Sequence, residues 1–506
     1  MKKYIFMSAL ALGLCLSSCD SYLDINQDPT SPAESNVTSS MIMPGAEMAV
    51  ANAYGNYLRI CGGYYSQIYA HLFGTSNYLD YSQFQQSATR SSSMYTQFYR
   101  SALVNFETIR EKSKVAEEWG TYLAATTFRA FCFTTLVDCY GETPYTEALD
   151  ADNISPKYDE GKTVYEGVLA ELNEALGKAT ASSSVCTNFL YPNENADVWI
   201  KFANALKLRI LMRMANVDSS VLSQVQSLVA ENNFPEEDIA FSGCWGNEAG
   251  SMNPYYSEEF ASSWGSTQTN VCANLAIIGS MQVKNASGDI VYTDPRLSVY
   301  FEPNVDKKYV GGISGTNFSN TKTYYSNKWC RPSMAYDSPV VLISQADTEF
   351  FIAEYYARAN DAANAEAHYN KAIETSFAIA GVAGAEEHIA RYPFDMSNYK
   401  KSIGIQKWIA LSGVDTFEAW CEARRLDYPA FGSKEGSDFY DNVNDASYND
   451  AIYEYGTLYT PINVFGQVGK NKLLERFPYA ESSSARNSNT PTFTDSDYTK
   501  PVFWGN

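Results

Sequence analysis

The chain has 506 residues and a formal net charge of −21, with 58 acidic residues against 37 lysines and arginines. That balance offers no basic cluster to neutralise phosphates, so nucleic acid and anionic lipid headgroups are not expected partners. With 45 % hydrophobic residues, the chain is long enough to bury a large core without disulfide staples.

The first 18 residues read as a leader. Lys2 and Lys3 supply a positive start, Tyr4 to Leu14 is an apolar run too short to span a bilayer, and Ser17 and Ser18 run directly into Cys19. Leu16-Ser17-Ser18-Cys19 resembles a bacterial lipobox, which implies cleavage before Cys19 and acylation of its thiol and its new amine. At roughly 0.8 kcal/mol per buried methylene, several acyl chains anchor far more firmly than one. Residues 19–40 form the lipidated cysteine and a proline-containing polar tether. No later apolar stretch approaches membrane-spanning length, and no Pro/Gly/Ser-rich linker divides residues 41–506, so one large domain is expected there.

Helices dominate the chain beyond the tether. From Val115 to Asp138, apolar residues recur at a helical period with small or apolar residues on the opposite side, so this helix is expected between neighbours, ending at Gly141 and Pro144. Helix candidates then come in pairs, over 117–178, 196–230, 346–380 and 399–426. In Lys162–Lys178, Val168, Leu172, Ala175 and Leu176 share the offset of Ala365, Tyr369, Ala372 and Ile373. That offset resembles the second helix of a tetratricopeptide repeat, where small residues permit close packing. The expected fold is therefore mainly α, a tetratricopeptide-like scaffold with long elaborated loops and few short strands. The loops concentrate in 234–344, where Gly, Ser, Asn and Tyr rise and the helical period fades. Loops on a rigid scaffold are the usual seat of binding.

Catalytic signatures do not emerge. The chain lacks G-x-S-x-G and H-E-x-x-H, and Gly161-Lys162-Thr163 lacks the first glycine of a phosphate loop, Pro156 standing in its place. His71, His368 and His388 are the only histidines, and no C-x-x-C pair occurs, so neither a metal site nor a cofactor is expected. Past Cys15 and Cys19, eight cysteines remain with no pairing legible. The acid pairs Glu117/Glu118, Glu258/Glu259 and Glu386/Glu387 read as solvated charge.

Aromatic content is the positive signal: 38 Tyr, 26 Phe and 8 Trp. Trp119, Trp199, Trp408 and Trp420 fall on expected helices and are assigned to packing. Trp245, Trp264 and Trp329 fall in the loop-rich segment with Tyr255, Tyr256, Tyr324 and Tyr325, and a second cluster contains Tyr78, Tyr81 and Phe84. Flat rings beside amides suit a ligand with apolar faces and many hydrogen-bonding edges, a sugar or a peptide backbone. The candidate ligand residues are Trp245, Tyr255, Tyr256, Trp264, Trp329, Tyr78 and Tyr81.

An ordered set of motifs then carries a resemblance. Asn26-Gln27-Asp28-Pro29 comes after the lipobox, and Asp138-Cys139-Tyr140-Gly141-Glu142-Thr143-Pro144-Tyr145 and Asp294-Pro295-Arg296-Leu297 come next. Gln406-Lys407-Trp408-Ile409-Ala410-Leu411, Glu418-Ala419-Trp420, Arg424-Arg425-Leu426 with Pro429, and Arg476-Phe477-Pro478-Tyr479 complete the order. The series resembles the SusD/RagB family of Bacteroidetes outer-membrane lipoproteins, in its SusD-like branch. The resemblance implies a non-catalytic, surface-exposed binding protein that captures oligosaccharides or oligopeptides for a SusC-type TonB-dependent barrel. It carries over no ligand residue, because family ligand contacts lie in variable loops. The motif residues read as scaffold, with Glu422 and Arg425 an i,i+3 helix pair contributing only tenths of a kcal/mol. A lipid-anchored glycoside hydrolase and a structural or adhesion protein stay open as alternatives.

Overall fold

A computed structural model describes residues 36–71, 77–261, 269–316, 329–442 and 447–506. Helix α1 (Ser39–Asn52) passes through a π-helical turn, Ala53–Leu58, into α2 (Arg59–Tyr65). Helix α3 (Ala88–Thr96) runs through a second π segment, Gln97–Leu103, into α4 (Val104–Val115). The expected tether thus ends sooner than Ser40, since Ser39 is already helical. Then come α5 (Trp119–Tyr140), α6 (Gly161–Lys178), α7 (Ala196–Met214), α8 (Leu222–Glu231) and α9 (Leu275–Met281). The C-terminal half holds α10 (Gln345–Arg358), α11 (Ala362–Ile379), α12 (Ala385–Arg391), α13 (Tyr399–Leu411) and α14 (Thr416–Leu426). Among the described residues the strands are short and pair two at a time, so no extended sheet forms.

The helices pack as sequence-adjacent neighbours, α4 on α5, α5 on α6, α10 on α11 and α13 on α14. Helix α5 shows why. Every residue from Gly120 to Tyr140 is buried, and its threonine hydroxyls bond back to carbonyls four residues earlier, Thr126 to Tyr122 at 2.7 Å and Thr135 to Phe131 at 2.8 Å, so a wholly enclosed helix leaves them satisfied. In α11, Ala365, Tyr369, Ala372 and Ile373 are all buried, the small residues allowing close approach. Side chains cap the starts, Asp361 accepting from the Asn364 N–H at 3.1 Å and Asp415 from Glu418 at 3.1 Å. Gly141 ends α5 at φ +80°, and a Cβ there would lie 2.8 Å from the Arg476 guanidinium. Trp199, Trp408 and Trp420 sit in the core. The eight cysteines from Cys61 to Cys421 are free thiols.

The motif residues correct one expectation. Glu422 and Arg425 pair at 2.7 Å, but both are buried and belong to a chain of ions through the middle of the fold. Arg213 bridges Asp138 (2.5 Å) and Glu418 (2.6 Å), and Lys407 bridges Asp347 and Glu422, each at 2.7 Å. Arg425 continues to Glu354 at 2.5 Å and Arg358 closes on Glu354 at 2.9 Å. Burial alone would raise the Glu422 carboxyl, yet Arg425 and Lys407 hold it well below the usual range. The helical spacing shows only one partner of the pair. The other partners arrive from α5, α7, α10 and α13, and in a dry interior removal of one member costs about 3–5 kcal/mol. A second buried cluster holds the Asp294 motif, where Arg296 forks onto Asp294 at 2.7 and 3.0 Å, and His388 contacts Gln406 at 2.7 Å.

Candidate functional site

Tyr78 and Tyr81 from one aromatic cluster of the sequence and Tyr255 and Tyr256 from the other belong to one continuous series of rings. The short helix Leu79–Ser82 places Tyr81 parallel to Tyr78, centroids 5.7 Å apart and planes within 10°. Tyr78 meets Tyr64 of α2 at 5.8 Å, and Tyr64 meets Tyr69 edge-on at 6.3 Å. Tyr69, on the strand Tyr69–His71, stacks on Tyr255 at 6.1 Å and 9°. Tyr255 meets Phe260 edge-on at 5.8 Å, and Phe260 stacks on Tyr256 at 5.7 Å and 7°. Guanidinium groups brace the series, Arg59 lying 5.4 Å from the Tyr255 ring and Arg331 5.4 Å from Phe260. Such ring pairs contribute about 0.5–1.5 kcal/mol each beyond buried area.

Local sequence sets this geometry. Asn253 caps the helix Pro254–Glu259 by accepting from the Tyr255 and Tyr256 N–H groups at 2.9 and 3.1 Å, and Pro254 supplies its fixed φ at the first turn. Tyr78 holds φ +61°, a left-handed conformation that costs a non-glycine residue about 1–3 kcal/mol and marks a position the surroundings over-determine. The strand Tyr69–His71 pairs antiparallel with Val271–Ala273, whose Ala273 N–H donates to the Cys330 carbonyl at 2.9 Å. Trp329 therefore stands on the segment beside the same strands.

A carboxylate clamps the polar rim. Glu259 accepts from the Asn270 N–H at 2.9 Å and hydrogen-bonds the Tyr78 hydroxyl, while the Asn77 amide donates to Asn270 Oδ1 at 3.0 Å. Burial raises the Glu259 carboxyl, with those hydrogen bonds opposing it. Glu259 is therefore a buried staple, not the solvated charge its position in an acid pair suggested. Among the described residues no group of three His, Cys, Asp or Glu side chains is placed to hold a metal ion.

The candidate residues fall in different environments. Tyr78 and Tyr256 are half-buried members of the series, with Asn77 exposed and Asn270 half-buried near Tyr78. Tyr81 and Tyr255 are enclosed at 2 % and 0 % exposure, and Trp329 at 8 %, so their faces already meet protein. Trp245 is half-buried, its Nε1 donating to the Phe241 carbonyl at 2.9 Å; no ring pair joins it to the series among the described residues. Trp264, Tyr324, Tyr325 and Cys19 lie outside the described residues. Tyr64, Tyr69, Phe260, Asn77 and Asn270 belong to the site without being legible in the sequence. The tyrosine-rich run from Tyr64 to Tyr69 is a signal, but nothing local indicates which rings it meets.

Residues 31–447 match the SusD-like family described as "Starch-binding associating with outer membrane". A SusD homolog from Bacteroides uniformis has a similar structure, with TM-score 0.69 at 21 % identity over 91 % of this chain and 98 % of its own. A SusD homolog from Bacteroides thetaiotaomicron gives 0.67 at 20 % identity over 90 % and 93 %. A chitin-binding SusD homolog from Flavobacterium johnsoniae gives 0.64 at 19 % identity over 89 % and 91 %. No curated protein sequence matches the chain.

Proposed function

The chain belongs to the SusD-like family, and from that membership we propose that it binds carbohydrate at the outer-membrane surface and passes oligosaccharides to a SusC-type TonB-dependent transporter without cleaving them. The observation that carries this reading is the ring series with half-buried Tyr78 and Tyr256, and the Asn77 and Asn270 amides at its rim. Exposed ring area buries the C–H face of a sugar while amides take its hydroxyls. The family description and the chitin-binding neighbour point to the same ligand chemistry. No described helix is long and apolar enough to cross a membrane, and the lipobox at Cys19 provides the means of attachment.

Calorimetric titration with maltoheptaose and chitohexaose tests the reading, beside a neutral tetrapeptide and with analysis of the recovered ligand. Tyr78→Ala and Tyr256→Ala should each weaken saccharide binding about tenfold, as loss of one stacking contact of about 1.4 kcal/mol implies. Tighter binding of the peptide would reassign the ligand class, and cleavage products would replace capture with hydrolysis.

A further inference from the structure

A second concavity lies between α1 with its π-turn and α3 with its π segment. It encloses about 480 Å³, within the range of small-ligand sites. Every residue lining it is uncharged, in a chain of net charge −21. Asn52, Asn56, Gln97 and Ser101 supply polar groups, and Met48 and Tyr57 supply apolar surface.

Two features set this cleft apart from a chance surface fold. Asn56 Oδ1 and Gln97 Oε1 are buried atoms with no hydrogen-bond partner among the described residues, a costly state unless an incoming donor meets them. Both residues sit on π-helical turns, at 53–58 and 97–103, and such turns concentrate at functional sites because the extra residue re-aims side chains. Tyr57 links the cleft to the ring series, meeting Tyr81 edge-on at 6.5 Å.

We propose that this cleft is a second carbohydrate subsite, which takes a neutral pyranose unit through its hydroxyl groups. Free amide oxygens call for hydroxyl donors, the absence of charge matches an uncharged ligand, and Met48 and Tyr57 offer surface to a sugar's C–H face. A peptide is disfavoured because the walls are helices whose backbone groups are already bonded, so no strand edge is available to pair with an extended chain. The inference rests on the cleft alone and does not require the ring series to bind anything.

The test fills the cleft without disturbing the fold. Gly45 is exposed and a Cβ there would meet nothing within 4 Å, so Gly45→Trp occludes the cleft from an open position; Gln97→Leu removes one free acceptor. The mature chain is titrated with maltoheptaose, chitohexaose and a neutral tetrapeptide, as wild type, as each cleft variant, and in a Tyr78→Ala/Tyr256→Ala background that disables the ring site. Thermal melts verify folding. Saccharide binding that survives in the ring-disabled protein and falls at least tenfold on adding Gly45→Trp or Gln97→Leu is the expected result. Unchanged affinity in both cleft variants, no saccharide binding to the ring-disabled protein, or stronger capture of the peptide there would each overturn the proposal. Failure of the ring variants alone to lose affinity would count against the ring site and leave the cleft result to be read separately.

Discussion

Tyr69 lies parallel to Tyr255, planes within 9° and centroids 6.1 Å apart, and that contact joins the N-terminal helical region to the loop-rich segment. Both rings are fully buried, so the pair is the foundation on which the half-buried Tyr78 and Tyr256 rest. Tyr255→Ala should therefore destabilise the fold by about 3–5 kcal/mol, in the manner of other large aromatic truncations in a core. Tyr256→Ala should cost about 1 kcal/mol, as for typical point variants, while losing ligand affinity. Denaturant unfolding of the two variants beside titration separates support from contact; equal destabilisation would place Tyr256 with the core.

Lys407 sits between Asp347 and Glu422 at 2.7 Å from each, with its charge 1 % exposed. Lys407→Met removes the cation shared by two buried carboxylates, leaving Asp347 with Arg209 at 3.2 Å and Glu422 with Arg425 at 2.7 Å, and should cost about 3–5 kcal/mol. Adding Glu422→Gln should recover part of that loss, because the two sites share one network and their effects do not add. Simple additivity in the double-mutant cycle would show that the ions act independently.

Glu47 on α1 is fully buried and accepts from the Phe189 and Leu190 N–H groups at 2.6 and 3.3 Å. Burial raises its carboxyl to about 8, with those two hydrogen bonds opposing the shift. A group that holds its proton in the folded chain and releases it in the unfolded chain lowers stability as pH rises, by up to about 1.4 kcal/mol per unit between its two pKa values. His71 and His388, each lowered to about 4 by burial, act in the opposite direction up to about pH 7.5. Both the wild type and Glu47→Gln carry these histidines, so their difference between pH 6.5 and 8 isolates the carboxyl. Wild type should be more stable at pH 6.5, and Glu47→Gln should shrink the difference; an unchanged slope would mean that Glu47 is ionised in the fold.

Cys19 in Leu16-Ser17-Ser18-Cys19 should incorporate labelled palmitate, and Cys19→Ala should abolish the label and release or strand the precursor. Equal labelling of the two proteins would remove the anchor from the account. The same detergent extract should contain a large outer-membrane barrel in a pull-down of the wild type. Recovery of monomer alone at mild salt would count against delivery to a transporter.

The helical class and several helices are legible in the sequence because they depend on near-neighbour physics. The pair expected over 399–426 forms as α13 at Tyr399–Leu411 and α14 at Thr416–Leu426, and the offset of Ala365, Tyr369, Ala372 and Ile373 falls on α11 at Ala362–Ile379. The helices that run through Ala53–Leu58 and Gln97–Leu103 are not legible for an equally local reason. Their two π segments each insert an extra residue, which breaks the 3.6-residue period by which a helix is read.

Tertiary structure alone decided which polar and aromatic residues share an environment. Glu422 and Arg425 look like a surface pair along one helix, and become buried ions once α5, α7, α10 and α13 bring Asp138, Arg213, Glu354 and Lys407 around them. Tyr78 and Tyr256 look like members of separate loop clusters, and become joined in one ring series through Tyr64, Tyr69, Tyr255 and Phe260. Periodicity and capping are set by residues a few positions apart, whereas burial and ring contact depend on chain segments that meet only after the helices pack.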